Sequence, residues 1–112
     1  MRELVDIHKA LADETRIRIL SLLMELGELC VCDVETGLDI TQSRASRHMT
    51  QLRQAGLVED RRDGQWVYYR VAESLAPAAA HALTGLREAR EGDAELARDV
   101  KATKKARRSP CR

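Results

Sequence analysis

The sequence of 112 residues lacks phenylalanine and has only three other aromatic residues, so an aliphatic core must carry its stability. A membrane-spanning helix needs about 20 consecutive apolar residues, and no apolar run in the sequence approaches that length. No apolar segment of the signal-peptide kind follows the N-terminus. We therefore expect a cytoplasmic protein with no membrane partner. A chain of this length suffices for one domain around one hydrophobic core.

Cysteine is scarce and odd in number, with only Cys30, Cys32 and Cys111. An odd count without a secretory signal is poor support for a disulfide scaffold and favours a reduced-thiol, metal-binding or redox role. A catalytic thiol needs a base beside it, and none of the three histidines adjoins a cysteine. We therefore expect that the chain is not an enzyme.

The formal net charge of +1 conceals a strong asymmetry along the chain. Counting Lys and Arg against Asp and Glu gives −5 for residues 1–40, +3 for 41–70, −3 for 71–97 and +6 for 98–112. Such segregation of basic charge suggests a polyanionic partner. Since residues 98–112 are also poor in large apolar groups, we expect a frayed helix or a disordered tail there.

The spacing of apolar residues predicts four helices, a hairpin, a further helix and a last helical piece from Asp93 that carries Leu96 and Val100. The first two helices are a short one with Leu4, Ile7 and Leu11 on one face, and a buried one that Asp13 caps. The next two are a helix carrying Val31, Val34 and Leu38, and a helix over Gln42–Gln54 that Thr41 caps. The strands Leu57–Arg62 and Gln65–Val71 then flank an Asp63-Gly64 turn, and the further helix begins near Pro77.

Two short helices around a tight turn, followed by a hairpin, describe a winged helix-turn-helix. The predicted fold is therefore mainly α with a small β-hairpin. We assign residues 1–92 to a DNA-binding and dimerisation domain of this type. Residues 93–112 form a basic C-terminal extension that we expect to be partly flexible.

The fourth helix concentrates polar and basic residues in its first two turns, where a recognition helix contacts base edges. Gln pairs with adenine and Arg with guanine in the major groove, while Ser suits phosphate oxygens. Two arginines flank the hairpin turn and can reach an adjacent groove. The candidate DNA-binding residues are Gln42, Ser43, Arg44, Ser46, Arg47, His48, Arg61 and Arg62. His48 has a second interpretation, an imidazole packed against the wing.

Cys30 and Cys32 lie at or just before the start of the third helix. The dipole of a helix N-terminus favours the thiolate, which is the form that binds soft ions. On a regular helix, residues two apart point to nearly opposite sides, so chelation by both sulfurs would require a distorted helix start. The alternative is that both cysteines are small buried hydrophobes.

Five segments taken together resemble the ArsR/SmtB family of metalloregulators, most closely its arsenic-responsive members. They are Leu11–Leu20, Glu28–Asp33, Gln42–Met49, Leu52–Val58 and Gly64–Arg70. The resemblance covers roughly residues 1–90. It implies a homodimeric repressor that binds an inverted repeat in double-stranded operator DNA. It further implies release by arsenite or antimonite, with As(III) or Sb(III) as the inducer and no organic cofactor.

The resemblance also implies a dimer formed by the first helix and the helix that begins near Pro77. The residues expected there are Leu4, Ile7, Leu11, Ala79, Ala82, Leu83 and Leu86. Arsenic-responsive members often carry a third cysteine three residues after the second, and this chain has Glu35 there. The third ligand is therefore either solvent or Cys111, from the same subunit or from its partner.

Three alternatives remain open at this stage. The first is a zinc- or cadmium-responsive repressor of the same fold, in which Asp33 or Glu35 and His8 of the partner subunit complete a tetrahedral site with the two cysteines. The second is a repressor that responds to thiol oxidation. The third is an architectural DNA-binding protein that responds to no ligand.

Overall fold

The computed structural model describes residues 1–107, in which six helices surround a small antiparallel sheet. The first half of the chain forms α1 (Arg2–Leu11), α2 (Glu14–Leu26), β1 (Leu29–Cys30), α3 (Val31–Leu38) and α4 (Gln42–Gln54). The second half forms β2 (Val58–Asp63), β3 (Trp66–Val71), α5 (Pro77–Ala89) and α6 (Ala94–Arg107). Within these residues, no helix has the length and apolar character that would let it cross a membrane.

Helix α2 is the centre of the core because it is apolar around most of its circumference. Ile19, Leu20 and Leu22 are fully buried. The helix begins where the Asp13 side chain accepts a hydrogen bond from the backbone N–H of Arg16 at 3.0 Å, as predicted. The pKa of Asp13 lies below its ordinary value, first because of this bond.

Helices α3 and α4 form the predicted helix-turn-helix. Three residues join them, and the first of these, Asp39, adopts the left-handed conformation that turns the chain. The Thr41 hydroxyl then caps α4 by accepting from the backbone N–H of Arg44 at 3.2 Å. The buried stripe of α4 consists of Ala45, Met49 and Leu52, which leaves the opposite face of this helix outside the core.

The sheet has the strand order β1-β3-β2, so it contains a strand beyond the predicted hairpin. Strand β1 escaped the sequence pattern because two residues are too few to show an alternation. The hairpin turn also lies one residue later than expected, at Gly64 and Gln65, because Asp63 pairs with Trp66. Gly64 has a φ of 64° in the first central position, as a type II′ turn requires.

Helix α6 corrects the expectation of a frayed or disordered tail for the part of the tail up to Arg107. It packs on α2 and α3, and its inward side is formed by Asp99, Thr103 and Ala106, all of which are buried. The Arg18 guanidinium donates two hydrogen bonds of 2.9 Å to the Asp99 carboxylate. Small and paired polar side chains therefore dock this helix together with the partly buried Val100, one of the two apolar residues on which a helix from Asp93 was predicted.

Candidate DNA interface and thiol site

The outer face of α4 presents the candidate base-reading side chains at the start of the helix. The exposed ones are Gln42, Ser43, Arg44 and Arg47, and Ser46 is half-buried beside them. The first turn carries no acidic residue. Amide, hydroxyl and guanidinium donors thus stand together at a helix N-terminus, an arrangement suited to phosphates and base edges.

The structure corrects the assignment of His48 to this face, because its ring is 6% exposed and lies against α2. The His48 Nδ1 atom is 3.3 Å from Nη1 of Arg16. Since a guanidinium only donates, Nδ1 accepts and the ring proton lies on Nε2. Burial lowers the pKa of His48, and this neutral form suits the contact. The imidazole packs against α2, whereas the second interpretation placed it against the wing.

The wing, defined as strands β2 and β3 with their turn, presents its two predicted arginines differently. Arg62 is exposed. Arg61 is paired with Glu28, donating from Nε to both carboxylate oxygens at 3.0 and 2.9 Å and from Nη2 to Oε1 at 2.6 Å. Its guanidinium carbon also lies 4.5 Å from the centre of the Tyr68 ring. These hydrogen bonds hold the pKa of Glu28 below its ordinary value.

Cys30 and Cys32 have their sulfur atoms 3.3 Å apart. Cys30 is the residue that caps α3, and its backbone is extended, with φ −72° and ψ 147°. Cys32 lies in the first turn of α3. The difficulty of the i, i+2 spacing therefore does not arise, because only one of the two residues is helical. The sulfurs already face each other without any distortion of the helix.

An oxygen donor lies near the thiol pair. The Asp33 Oδ1 atom lies 4.0 Å from the Cys32 sulfur, and Asp33 is fully buried. Within residues 1–107, no group of three or more His, Cys, Asp or Glu side chains is arranged to hold a metal ion. The expectation that Cys111 supplies a third sulfur lies outside the described residues.

The residues predicted for the dimer interface divide between core and surface. Ile7, Ala79 and Leu83 are 1%, 1% and 4% exposed, so they pack inside their own protomer and offer no surface to a partner. The apolar stripe of each helix is wide enough to serve the core, which is why spacing alone could not separate the two roles. Leu4 is 43% exposed, and the half-buried members are Leu11, Ala82 and Leu86. Val5, which the stripe omitted, is 39% exposed.

Glu28 is the residue at this site that sequence reasoning missed. Its partner Arg61 lies 33 positions later, and no local sequence pattern predicts a contact between a loop residue and a strand residue. The cross-strand pairing of β1 with β3 brings the two together, and β1 was itself not predicted.

Comparison with known proteins agrees with this fold. Residues 13–60 match the model of the bacterial regulatory protein family arsR. The arsenical resistance operon repressor of Escherichia coli (strain K12) is 51% identical over 76 residues, which are 68% of this chain and 65% of that relative. The chain thus spans slightly less than two thirds of that relative's length.

Two solved structures have the same architecture. The homodimeric winged helix-turn-helix domain Mb0332 of Mycobacterium bovis, described as a possible ArsR-family regulator, has a TM-score of 0.67 at 30% identity, over 83% of this chain and 82% of that one. The AntR antimony-specific transcriptional repressor has a TM-score of 0.64 at 28% identity, over 81% and 80%. With its helix-turn-helix, its wing and these matches, the chain belongs to the ArsR family of bacterial transcriptional regulators.

Proposed function

We propose that this protein is a dimeric repressor that leaves its operator when As(III) or Sb(III) binds Cys30 and Cys32. The observation that carries the proposal is the 3.3 Å separation of two sulfurs at the start of α3. Helix α3 packs directly against α4, which holds the candidate base-reading residues. An ion held by both sulfurs therefore acts on the support of the recognition helix.

The DNA-binding part of the proposal assigns a role to each surface. Helix α4 enters the major groove and its exposed N-terminal side chains contact bases and phosphates. Arg62 of the wing contacts the flanking backbone. One such domain reads half of an inverted repeat, so two protomers are needed.

The dimer forms through the exposed apolar part of α1, together with α5. Leu4 and Val5 line a shallow groove with Ala12 and the side chains of His8 and Lys9. Exposed aliphatic residues on a helix end are costly in water, and a second copy of the chain would cover them. The half-buried Ala82 and Leu86 of α5 supply the rest of the proposed dimer interface.

The ion exchanges oxygen ligands for sulfur without any change of oxidation state. Arsenite in neutral water is the trihydroxide. In the protein reduced by a thiol reductant, each cysteine thiol forms one sulfur–arsenic bond as one hydroxide leaves, and the thiol proton leaves with it as water. Two such exchanges join the ion to Cys30 and Cys32 and leave a third position for hydroxide or for the Cys111 thiol. Soft thiolates select this ion over hard cations.

Binding of the ion must favour the low-affinity form by several kcal/mol to release most of the protein from DNA. Two or three sulfur–arsenic bonds that strengthen when the start of α3 moves can supply this difference. The movement reaches α4 because the two helices share the core and are joined by three residues.

Titration of a protein–DNA complex with arsenite tests the proposal. A DNA fragment selected by the protein from a random-sequence pool serves as operator, and fluorescence anisotropy reports binding under reducing conditions. We expect arsenite to release wild-type protein and the Cys32→Ser and Cys30→Ser variants to stay bound. Cys111→Ser separates a three-sulfur from a two-sulfur site by its effect on arsenite affinity. Normal release of both the Cys30→Ser and the Cys32→Ser variant would refute the proposal.

The same titration distinguishes the alternatives. Release by Zn(II) or Cd(II) at lower concentration than arsenite would favour a tetrahedral site. Release by peroxide alone, reversed by dithiothreitol, would indicate a redox switch. Binding that no ion and no oxidant changes would indicate an architectural protein.

A further inference from the structure

The strands of the sheet place a thiol and a wing arginine in one row. Cys30 of β1 is paired with Tyr68 of β3, and Tyr68 is paired with Arg61 of β2. Directly paired residues project from the same face of a sheet, so the three side chains follow one another across it. The guanidinium of Arg61 lies over the Tyr68 ring at 4.5 Å.

Glu28 connects this row of side chains to the segment that carries Cys30. It stands two residues before Cys30, and its carboxylate accepts three hydrogen bonds of 2.6–3.0 Å from Arg61. Planar pairing of a carboxylate with a guanidinium fixes orientation as well as distance. The Arg61 guanidinium thus stacks on the Tyr68 ring of its own hairpin. It is also hydrogen-bonded to Glu28, in the segment that leads into the strand with Cys30.

We propose that Glu28 is a positioning residue that couples ion binding at the thiol pair to the wing. This inference rests on the proposed function. Strand β1 has only two residues and two pairs with β3, so a small ladder joins it to the hairpin. When Cys30 moves to meet the ion, Glu28 moves with it and, through Arg61, shifts the wing and its DNA-contacting Arg62.

A second ion pair on the same hairpin provides a matched control. Glu59 of β2 and Arg70 of β3 are cross-strand partners, with Nη2 of Arg70 2.6 Å from Oε1 of Glu59. The side chains are 38% and 51% exposed, against 30% and 53% for Glu28 and Arg61. Since Glu59 and Arg70 join β2 to β3, loss of the Glu59 charge perturbs the wing but leaves Glu28 in place as its link to the thiol strand.

The experiment compares Glu28→Gln and Glu59→Gln with wild-type protein. The first readout is the ratio of DNA affinities without and with saturating sodium arsenite. Because the ion pair is exposed, we expect Glu28→Gln to lower this ratio by about fivefold and Glu59→Gln to leave it within about twofold. Arsenite stoichiometry on DNA-free protein, measured by thiol protection, should be the same in all three.

The second readout needs no DNA. Trp66 is the single tryptophan of the chain and lies at the tip of β3, so its emission reports on the wing. Arsenite should change this emission in wild-type protein and in Glu59→Gln, and the change should fall by at least half in Glu28→Gln. A role of Glu28 in stability alone would leave the arsenite-induced change intact.

Each result decides the matter. An unchanged affinity ratio and emission change in Glu28→Gln, or equal losses in both variants, would overturn the coupling role while the arsenite response of wild-type protein still stands. If arsenite fails to release wild-type protein, the proposed function fails and the coupling role fails with it.

Discussion

Replacing Gly37 with alanine tests how α6 is docked, because this buried glycine of α3 lies against Thr103. A Cβ atom at position 37 would clash with the Thr103 Oγ1 and would lie 2.9 Å from its Cβ and 3.0 Å from its Cα. Unstrained carbon contacts are about 3.5–4.0 Å. Rotating the threonine side chain relieves only the first contact, so the backbone of α6 must move away from α3.

Three contributions set the magnitude. Overpacking of a close contact costs about 1–3 kcal/mol. Rotation of Thr103 breaks the 2.7 Å hydrogen bond that its hydroxyl donates to the Asp99 carbonyl, at about 1 kcal/mol. Alanine is favoured over glycine inside a helix by about 1 kcal/mol, which offsets part of the loss. We expect Gly37→Ala to lower the free energy of unfolding by about 2 kcal/mol.

Urea denaturation followed by circular dichroism at 222 nm measures this change, at matched protein concentrations and under reducing conditions. Gly85→Ala is the control, because Gly85 also lies inside a helix and no heavy atom comes within 4 Å of an added Cβ there. It should raise stability by up to about 1 kcal/mol. If Gly37→Ala is as stable as wild-type protein or more so, the docking of α6 described above is incorrect.

Three further predictions follow from single contacts. Arg47→Ala should weaken DNA binding by about 1–3 kcal/mol, or about 5- to 160-fold, with unchanged arsenite stoichiometry on free protein; equal DNA affinity in an anisotropy titration would remove Arg47 from the interface. Arg18→Met should lower the free energy of unfolding, measured by urea denaturation, by about 2 kcal/mol, because it leaves the buried Asp99 carboxylate without its guanidinium partner. Adding Asp99→Asn should recover part of this loss, and no recovery would contradict the pairing of Arg18 with Asp99. The folded-state pKa of Asp13 is depressed below 3.8, so its ionised carboxylate adds stability above that pH, and this stability is lost as pH falls through the folded value. The Asp13→Asn variant keeps the cap but cannot titrate. The difference in unfolding free energy between wild-type protein and this variant, measured by urea denaturation, should therefore shrink below pH 3.8. A constant difference from pH 7 to pH 3 would contradict the lowered pKa.

Local chemistry explains why much of the fold could be predicted. Asp13 and Thr41 cap α2 and α4 where the sequence indicated, because a capping side chain bonds to the backbone three residues ahead and needs no distant partner. Family resemblance across five segments added the function that these elements serve.

Contacts between distant segments could not be predicted, because nothing in a local pattern records them. Strand β1 exists only through its pairing with β3, and α6 is ordered through Asp99 and Thr103, two polar residues that no apolar pattern selects. The sequence left open whether the His48 imidazole contacts DNA or packs against the wing, and it is buried against α2, because one helix face gives no information on which neighbour covers it.

By itself, the sequence determined the helix-turn-helix, the wing, the pair of thiols at the start of α3 and the membership of the family. Only the tertiary structure decided that the two sulfurs lie 3.3 Å apart, that Arg61 is held by Glu28, and which residues of α1 and α5 remain for a partner. The physical reason is the same in each case. Helix spacing and capping depend on neighbours along the chain, whereas distances between side chains depend on how the completed elements pack.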